Sequence, residues 1–280
     1  MRVKYLFSSR HTRRARVSGT PRKKKFFEII SKLISESDIL IQVLDARFIQ
    51  ETINKTLEKE IIHHKKKIIY AINKLDLINL NKTKKVNAKL LSELYPYVFI
   101  SSKTRQGIKE LRNRIKIEAS KISNPTTTIG VVGYPNTGKS SLINILIGRG
   151  LAGVAQEAGF TKGIQKAKLT PKIYLIDSPG IISEEDYKES NLEKMNKQIK
   201  INSRTLGKIK DPESFVDYLV KNYPKELESH YKLKFENNSE ILLEELGRKK
   251  GFLKKGNRVD TDKTAKLIIT EWQEGKIKLI

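Results

Sequence analysis

Apolar side chains recur up to about residue 180 in short blocks, separated by stretches of helical period. Ile39 to Leu44 is a compact block rich in Ile and Val that ends at Asp45. Too short for a helix of ordinary length, it predicts a buried strand. The same pattern predicts strands over Lys67–Ile72, Tyr97–Ile100, Ile129–Val132, about 166–169 and about 172–176. Between them, helical spacing covers about 24–35, 51–63, 83–93, 107–121 and 139–147. Strands alternating with helices predict a parallel, doubly wound sheet. Residues 122–127, marked by Pro125, read as a linker.

Beyond about Glu184 the pattern is helical without strands. Asp211-Pro212-Glu213 combines a capping acid, a proline at the first helical position and an acid in the first turn. Asn238 and Ser239 open another helix, which Gly247 is expected to close. Asp260 or Thr261 begins a third, and Gly275 is placed to end it. Two domains are expected: residues 1–185, including a basic arm over 1–23, and a smaller all-α domain over 186–280.

Five segments carry chemistry. Gly133-Tyr134-Pro135-Asn136-Thr137-Gly138-Lys139-Ser140 matches the phosphate-loop pattern in full, between a predicted strand and a predicted helix. Its backbone N–H groups, with those of Ser141 and the helix N-terminus, suit bound phosphates. Lys139 is placed to reach the β- and γ-phosphates, and Ser140 to ligate Mg²⁺. Asp177-Ser178-Pro179-Gly180 follows the last predicted strand. Its acid is a second Mg²⁺ candidate, and the Gly180 N–H can approach a γ-phosphate closely. Asn73-Lys74-Leu75-Asp76 ends another strand. A carboxylate there can accept from guanine N1–H and the 2-amino group, donors that adenine lacks at those positions. Lys74 would lie along the base face and Asn73 would tie this loop to the phosphate loop. Ser101-Ser102-Lys103 would offer a backbone N–H to guanine O6. Thr161, in Gly159-Phe160-Thr161-Lys162, is a candidate Mg²⁺ ligand from a mobile loop, or an ordinary solvated residue.

These segments resemble the motifs of translation-factor and Ras-like GTPases, in rotated order: Asp76 precedes Gly133. The chain is similar to the circularly permuted GTPases of ribosome biogenesis, of the YlqF/RbgA type. Val43-Leu44-Asp45-Ala46-Arg47 resembles that family's segment before the guanine motif, and Leu246-Gly247-Arg248-Lys249-Lys250-Gly251 resembles its C-terminal domain. Phe48-Ile49-Gln50 departs from it where a proline is usual. The resemblance implies a permuted P-loop NTPase G domain on a mostly parallel six-stranded sheet. It also implies GTP and GDP as ligands with Mg²⁺, and catalytic roles for Lys139, Thr161 and Gly180. Asn136 resembles the asparagine through which related GTPases bind K⁺; ordinary turn chemistry is the other reading. Ile181 stands where many Ras-like GTPases carry a water-orienting glutamine, so slow intrinsic hydrolysis is expected.

Composition sharpens the choice of partner. Fifty-six Lys+Arg against 31 Asp+Glu give a formal net charge of +25, which favours a polyanion: nucleic acid or an anionic membrane surface. The charge concentrates in the arm, from Arg2 to Lys25, and in Arg248, Lys249, Lys250, Lys254, Lys255 and Arg258. Such clusters bind phosphate backbones, and large folded RNA fits them. The resemblance narrows this to rRNA on the large ribosomal subunit or its precursor. Charge alone leaves tRNA open. No apolar run reaches the ~18–20 residues of a membrane span, and cysteine is absent. A cytoplasmic monomer without a membrane partner is therefore expected. An RNA-binding scaffold with a structural guanine nucleotide is the alternative. If Asp76 selects the purine, Asp76→Asn weakens GTP and favours xanthosine triphosphate; competition binding of the two nucleotides checks it.

Overall fold

A computed structural model describes residues 28, 30–148, 166–177, 192–201, 207 and 209–279. Thr161, Gly180, Ile181, the arm and the expected domain boundary near 185 lie outside them. Six strands form one sheet: β1 Ile39–Asp45, β2 Lys67–Asn73, β3 Tyr97–Phe99, β4 Thr127–Val132, β5 Lys166–Thr170 and β6 Ile173–Asp177. Their spatial order is β3-β2-β1-β4-β6-β5. All neighbours run parallel except β5, which pairs antiparallel with β6. Only a short Pro171-Lys172 connection separates those two strands, too short for the crossover that parallel pairing needs.

Every residue of β1 is buried, as a central strand covered on both faces requires. Ile39, Ile41 and Val43 face a cluster with Leu111 and Ile115 of the helix Ile108–Ser120 and Leu142 and Leu146 of the helix Lys139–Ile147. On the other face Leu40 meets Leu33, Ile34, Leu57 and Ile61, while Leu44 joins Ile72, Leu75 and Phe99. Residues 30–36 are helical, so the expected first helix is present at its C-terminal end.

The expected helix over 51–63 is two, Ile49–Thr52 and Lys55–His63. The break falls at Asn54, whose side chain accepts from Leu57 N and caps the second helix. The expected 83–93 helix is likewise split into Leu80–Val86 and Ala88–Glu93, with Asn87 between them. A polar cap inside an apolar period is a boundary that periodicity alone does not register.

The C-terminal region holds the helices Leu192–Lys200, Pro212–Asn222, Pro224–Tyr231, Ser239–Lys250 and Thr261–Glu274. Asp211, Asn238 and Asp260 cap three of them as expected, each accepting from backbone N–H groups of the first turn. A hairpin of Leu253–Lys254 (β7) and Arg258–Val259 (β8) is added to the expected all-helical pattern. Gly247 does not close its helix. The helix continues to Lys250 and ends at Gly251, which adopts the left-handed conformation at φ 69°. Gly247 serves packing instead: a Cβ there would run into Val259 of the hairpin and lie 2.8 Å from Thr264 Oγ1.

The core of this region includes Phe215, Leu219, Phe235, Leu246, Ile268 and Trp272, and it also takes in Phe48 and Tyr134 from the sheet-bearing region. Gly247→Ala overpacks the seam between this core and the hairpin, at a cost of about 1–3 kcal/mol. The midpoint of urea unfolding is expected to fall accordingly.

Candidate functional site

Parallel register sets the strand ends level. Asp45 pairs with Asn73, and Gln42 with Val132, so the loops after β1, β2 and β4 emerge at one edge. The chain runs outward from β1 to β2 and β3, then crosses to β4 on the other side. The crevice between β1 and β4 is thus the switch point where ligands of such sheets bind.

The phosphate loop fills one side of that crevice. Gly133 has φ 146° and Gly138 φ 99°, backbone conformations that a side chain would strain. A Cβ on Gly138 would collide with the Asn73 amide. Lys139 and Thr137 are buried, whereas Ser140, Ser141 and Asn136 are exposed. Lys139 Nζ donates to the Tyr134 carbonyl at 2.8 Å, and Thr137 Oγ1 donates to the same oxygen at 2.9 Å. The loop is closed around its own backbone, with the lysine folded inward.

The guanine-type loop is joined to it by one side chain. Asn73 Nδ2 donates to the Thr137 carbonyl at 2.8 Å, and Asn73 Oδ1 accepts from Ser102 N at 2.9 Å. The tie expected of Asn73 is present, and it extends to a third loop. Ser101 Oγ donates to Asp76 Oδ1 at 2.5 Å, orienting that exposed carboxylate. Lys103 is exposed beside them. Asn73, Asp76, Ser101, Ser102, Thr137 and Lys139 are therefore joined in one hydrogen-bonded cluster. Thr161 and Gly180 lie outside the described residues. Asp177 ends β6, its backbone paired with Val131.

Lys74 adds a contact that was not foreseen. Its Nζ lies 2.7 Å from Asp45 Oδ2. Asp45 is fully buried and also receives Arg47, Nη2 to Oδ2 at 2.8 Å and Nε to Oδ1 at 3.1 Å. Burial alone would raise the Asp45 pKa, but the Arg47 guanidinium and then the Lys74 ammonium overcome it and hold the carboxyl below its ordinary value. Burial draws Lys74 below the ordinary lysine value, with Asp45 opposing. Nothing local in the Val43–Arg47 sequence reveals that its acid and base are mutual partners.

Fit to a nucleotide follows from the same geometry. The two positive-φ glycines and the helix beginning at Lys139 suit a backbone cradle for phosphates. Mg²⁺ in such sites takes one or two protein oxygens and completes its shell with phosphates and water. Ser140, exposed in the first helical turn, suits that role. Among the described residues no group of three or more His, Cys, Asp or Glu could hold a metal.

Sheet order, loop chemistry and chain order together define a circularly permuted P-loop domain of the guanine-nucleotide-binding class. A family model described as "50S ribosome-binding GTPase" matches residues 128–241. That span starts at β4 and leaves the Asn73–Asp76 loop upstream, as the permuted order requires. A GTP-binding protein of Methanocaldococcus jannaschii is 38% identical over 259 residues, covering 89% of this chain and 65% of that protein. Nucleolar GTP-binding protein 2 of Pneumocystis carinii is 34% identical over 266 residues, covering 91% of this chain and 53% of its own length. The chain thus spans less than two thirds of either relative. The crystal structure of GNP-bound YlqF from Thermotoga maritima superposes with a TM-score of 0.64 at 23% identity, covering 90% of this chain and 94% of that one. In fold the chain is thus similar to YlqF, and in sequence to these GTP-binding proteins.

The buried ion cluster carries a pH dependence. Because Asp45 has a lower pKa folded than unfolded, its stabilising contribution is present above its ordinary value near ~3.9. It is lost as pH falls below that value. Stability measured by urea unfolding is therefore expected to drop below about pH 4, and Asp45→Asn to flatten that part of the profile.

Proposed function

We propose that this chain binds guanine nucleotide with Mg²⁺, hydrolyses GTP, and acts as an assembly factor of the large ribosomal subunit that contacts rRNA in a nucleotide-dependent way. The observation that carries the nucleotide reading is Asn73, whose one amide binds the phosphate loop through Thr137 and the third loop through Ser102. That arrangement brings Asp76 and Lys139 to one crevice. Asp76, held by Ser101, selects guanine, and the Ser102 region faces O6. Lys139 exchanges the Tyr134 carbonyl for phosphate oxygens, and Ser140 with Asp177 would hold Mg²⁺. The bound ion would neutralise the charge on those oxygens. Thr161 and Gly180 complete the expected catalytic set, and Asn136 is the proposed K⁺ contact. Its φ of 60° holds it in the left-handed region within the phosphate loop.

Support for the ribosomal partner is of two kinds. The matching family model is described as ribosome-binding, and a relative is named as nucleolar. Arg248, Lys249 and Lys250 end one helix, and Lys254, Lys255 and Arg258 lie on the adjoining hairpin, all of them exposed. Such a basic corner suits an RNA backbone read by shape. Among the described residues no helix is long and apolar enough to cross a membrane. We infer a monomer working in the cytoplasm, or wherever its ribosomes mature.

Cosedimentation with large ribosomal subunits, in GDP and in a nonhydrolysable GTP analogue across a salt series, tests the reading. Binding is expected to be stronger with the analogue. Replacing Lys250, Lys255 and Arg258 by alanine is expected to lower the log–log salt slope by about 0.7–0.9 per lost phosphate contact. Multiple-turnover GTP hydrolysis should rise with subunits present and be faster in K⁺ than in Na⁺. Subunit binding with no turnover would instead favour a scaffold with a structural nucleotide.

A further inference from the structure

The Asp45 cluster has no part in the phosphate or base contacts just described, yet it grips the lysine of the base-reading loop. Lys74 sits at φ 69° immediately after Asn73, whose amide is committed at both ends. Its backbone is thus fixed, and its ammonium is fixed by Asp45. What remains between those two anchors is the four-carbon stem. Ordering a free lysine side chain costs rotamer entropy. A stem already held at both ends gives a purine an apolar strip without that cost at the moment of binding.

Arg47 makes the clamp possible. A fully buried carboxylate needs full compensation, and the Arg47 fork engages both Asp45 oxygens while the Arg47 backbone N–H adds a third contact at 3.0 Å. The remaining guanidinium nitrogen, Nη1, donates to the Trp272 carbonyl at 3.0 Å. Phe48, next in the chain, stacks on the Trp272 ring at 6.0 Å and 24°. The helix Thr261–Glu274 is therefore linked to the base-reading lysine through Arg47 and Asp45.

We propose that Asp45 and Arg47 are positioning residues for purine recognition: they preset the Lys74 side chain, and the Arg47–Trp272 contact makes the C-terminal helical region a contributor to guanine affinity. This rests on the guanine-nucleotide reading above. Calorimetric titration of the full chain with GDP, across a cycle of wild type, Asp45→Asn, Lys74→Met and the double variant, tests it. Each single change is expected to weaken GDP on the order of tenfold, as loss of one charge-assisted contact would. The double variant should bind no worse than Lys74→Met alone. Affinity for a GTP analogue should fall in the same proportion as for GDP, because the phosphate side is untouched. Additive losses, or Asp45→Asn with wild-type affinity, overturn the proposal. Should circular dichroism show Asp45→Asn unfolded, Arg47→Lys takes its place in the cycle. That variant keeps the charge but loses the fork, and wild-type affinity in it is equally fatal. A wild-type chain that binds no guanine nucleotide removes the nucleotide reading, and this inference with it.

Discussion

The amide of Asn73 joins three loops that are far apart in the chain. It donates to the Thr137 carbonyl and accepts from Ser102 N, and Gly138 leaves room for it because no Cβ intrudes. Buried hydrogen-bonding groups are costly to leave unpaired, so this small network is cooperative: losing one partner strands the others. The constraint explains why a residue with no chemistry of its own sits at the geometric centre of the site. It also explains why rotation of the chain order is harmless. The network joins strand ends, and those ends are brought level by sheet register, which is indifferent to the order in which the chain visits the strands.

The strand blocks and the loops after them were legible because their signals are local. Ile39–Asp45, Lys67–Asn73 and Lys139–Ile147 were placed to within a residue by apolar runs and by the phosphate-loop pattern. The role of Asn73 was legible because its motif has one established geometry. Illegible features were those whose partners are distant in sequence. Gly247 looks like a helix stop until Val259 and Thr264 are seen packed against it. The 253–259 hairpin has strands of two residues each, too short to leave a periodic trace. Asp45 and Arg47 could be recognised as a familiar segment, but their partners, Lys74 and the Trp272 carbonyl, lie outside it, the second 225 residues away.

Tyr134 shows most clearly what a motif conceals. Within the phosphate-loop pattern it occupies a position open to any residue, so sequence gives it no role. In the fold its ring is buried in the apolar cluster of the C-terminal helices, while its carbonyl accepts from Lys139 and Thr137. One residue thus has its side chain in one region's core and its backbone in the other region's site. Burying an aromatic side chain is worth roughly 1.5–3 kcal/mol, which makes it a firm anchor.

The crevice therefore leans on the helical region at both ends. On the base side the connection runs from Lys74 through Asp45 and Arg47 to the Trp272 carbonyl; on the phosphate side it is the Tyr134 ring. A ligand can shift a conformational equilibrium only by the difference in its affinity for the two states. GDP and GTP share the base and differ at the γ-phosphate. The base-side connection should therefore respond to both nucleotides alike and serve docking. On the proposed reading only the phosphate side, where the γ-phosphate would sit, can tell the two nucleotides apart, and the Tyr134 ring ties that side to the helices. Coupling and discrimination are in this way assigned to opposite ends of one site, each with its own physical link to the same set of helices.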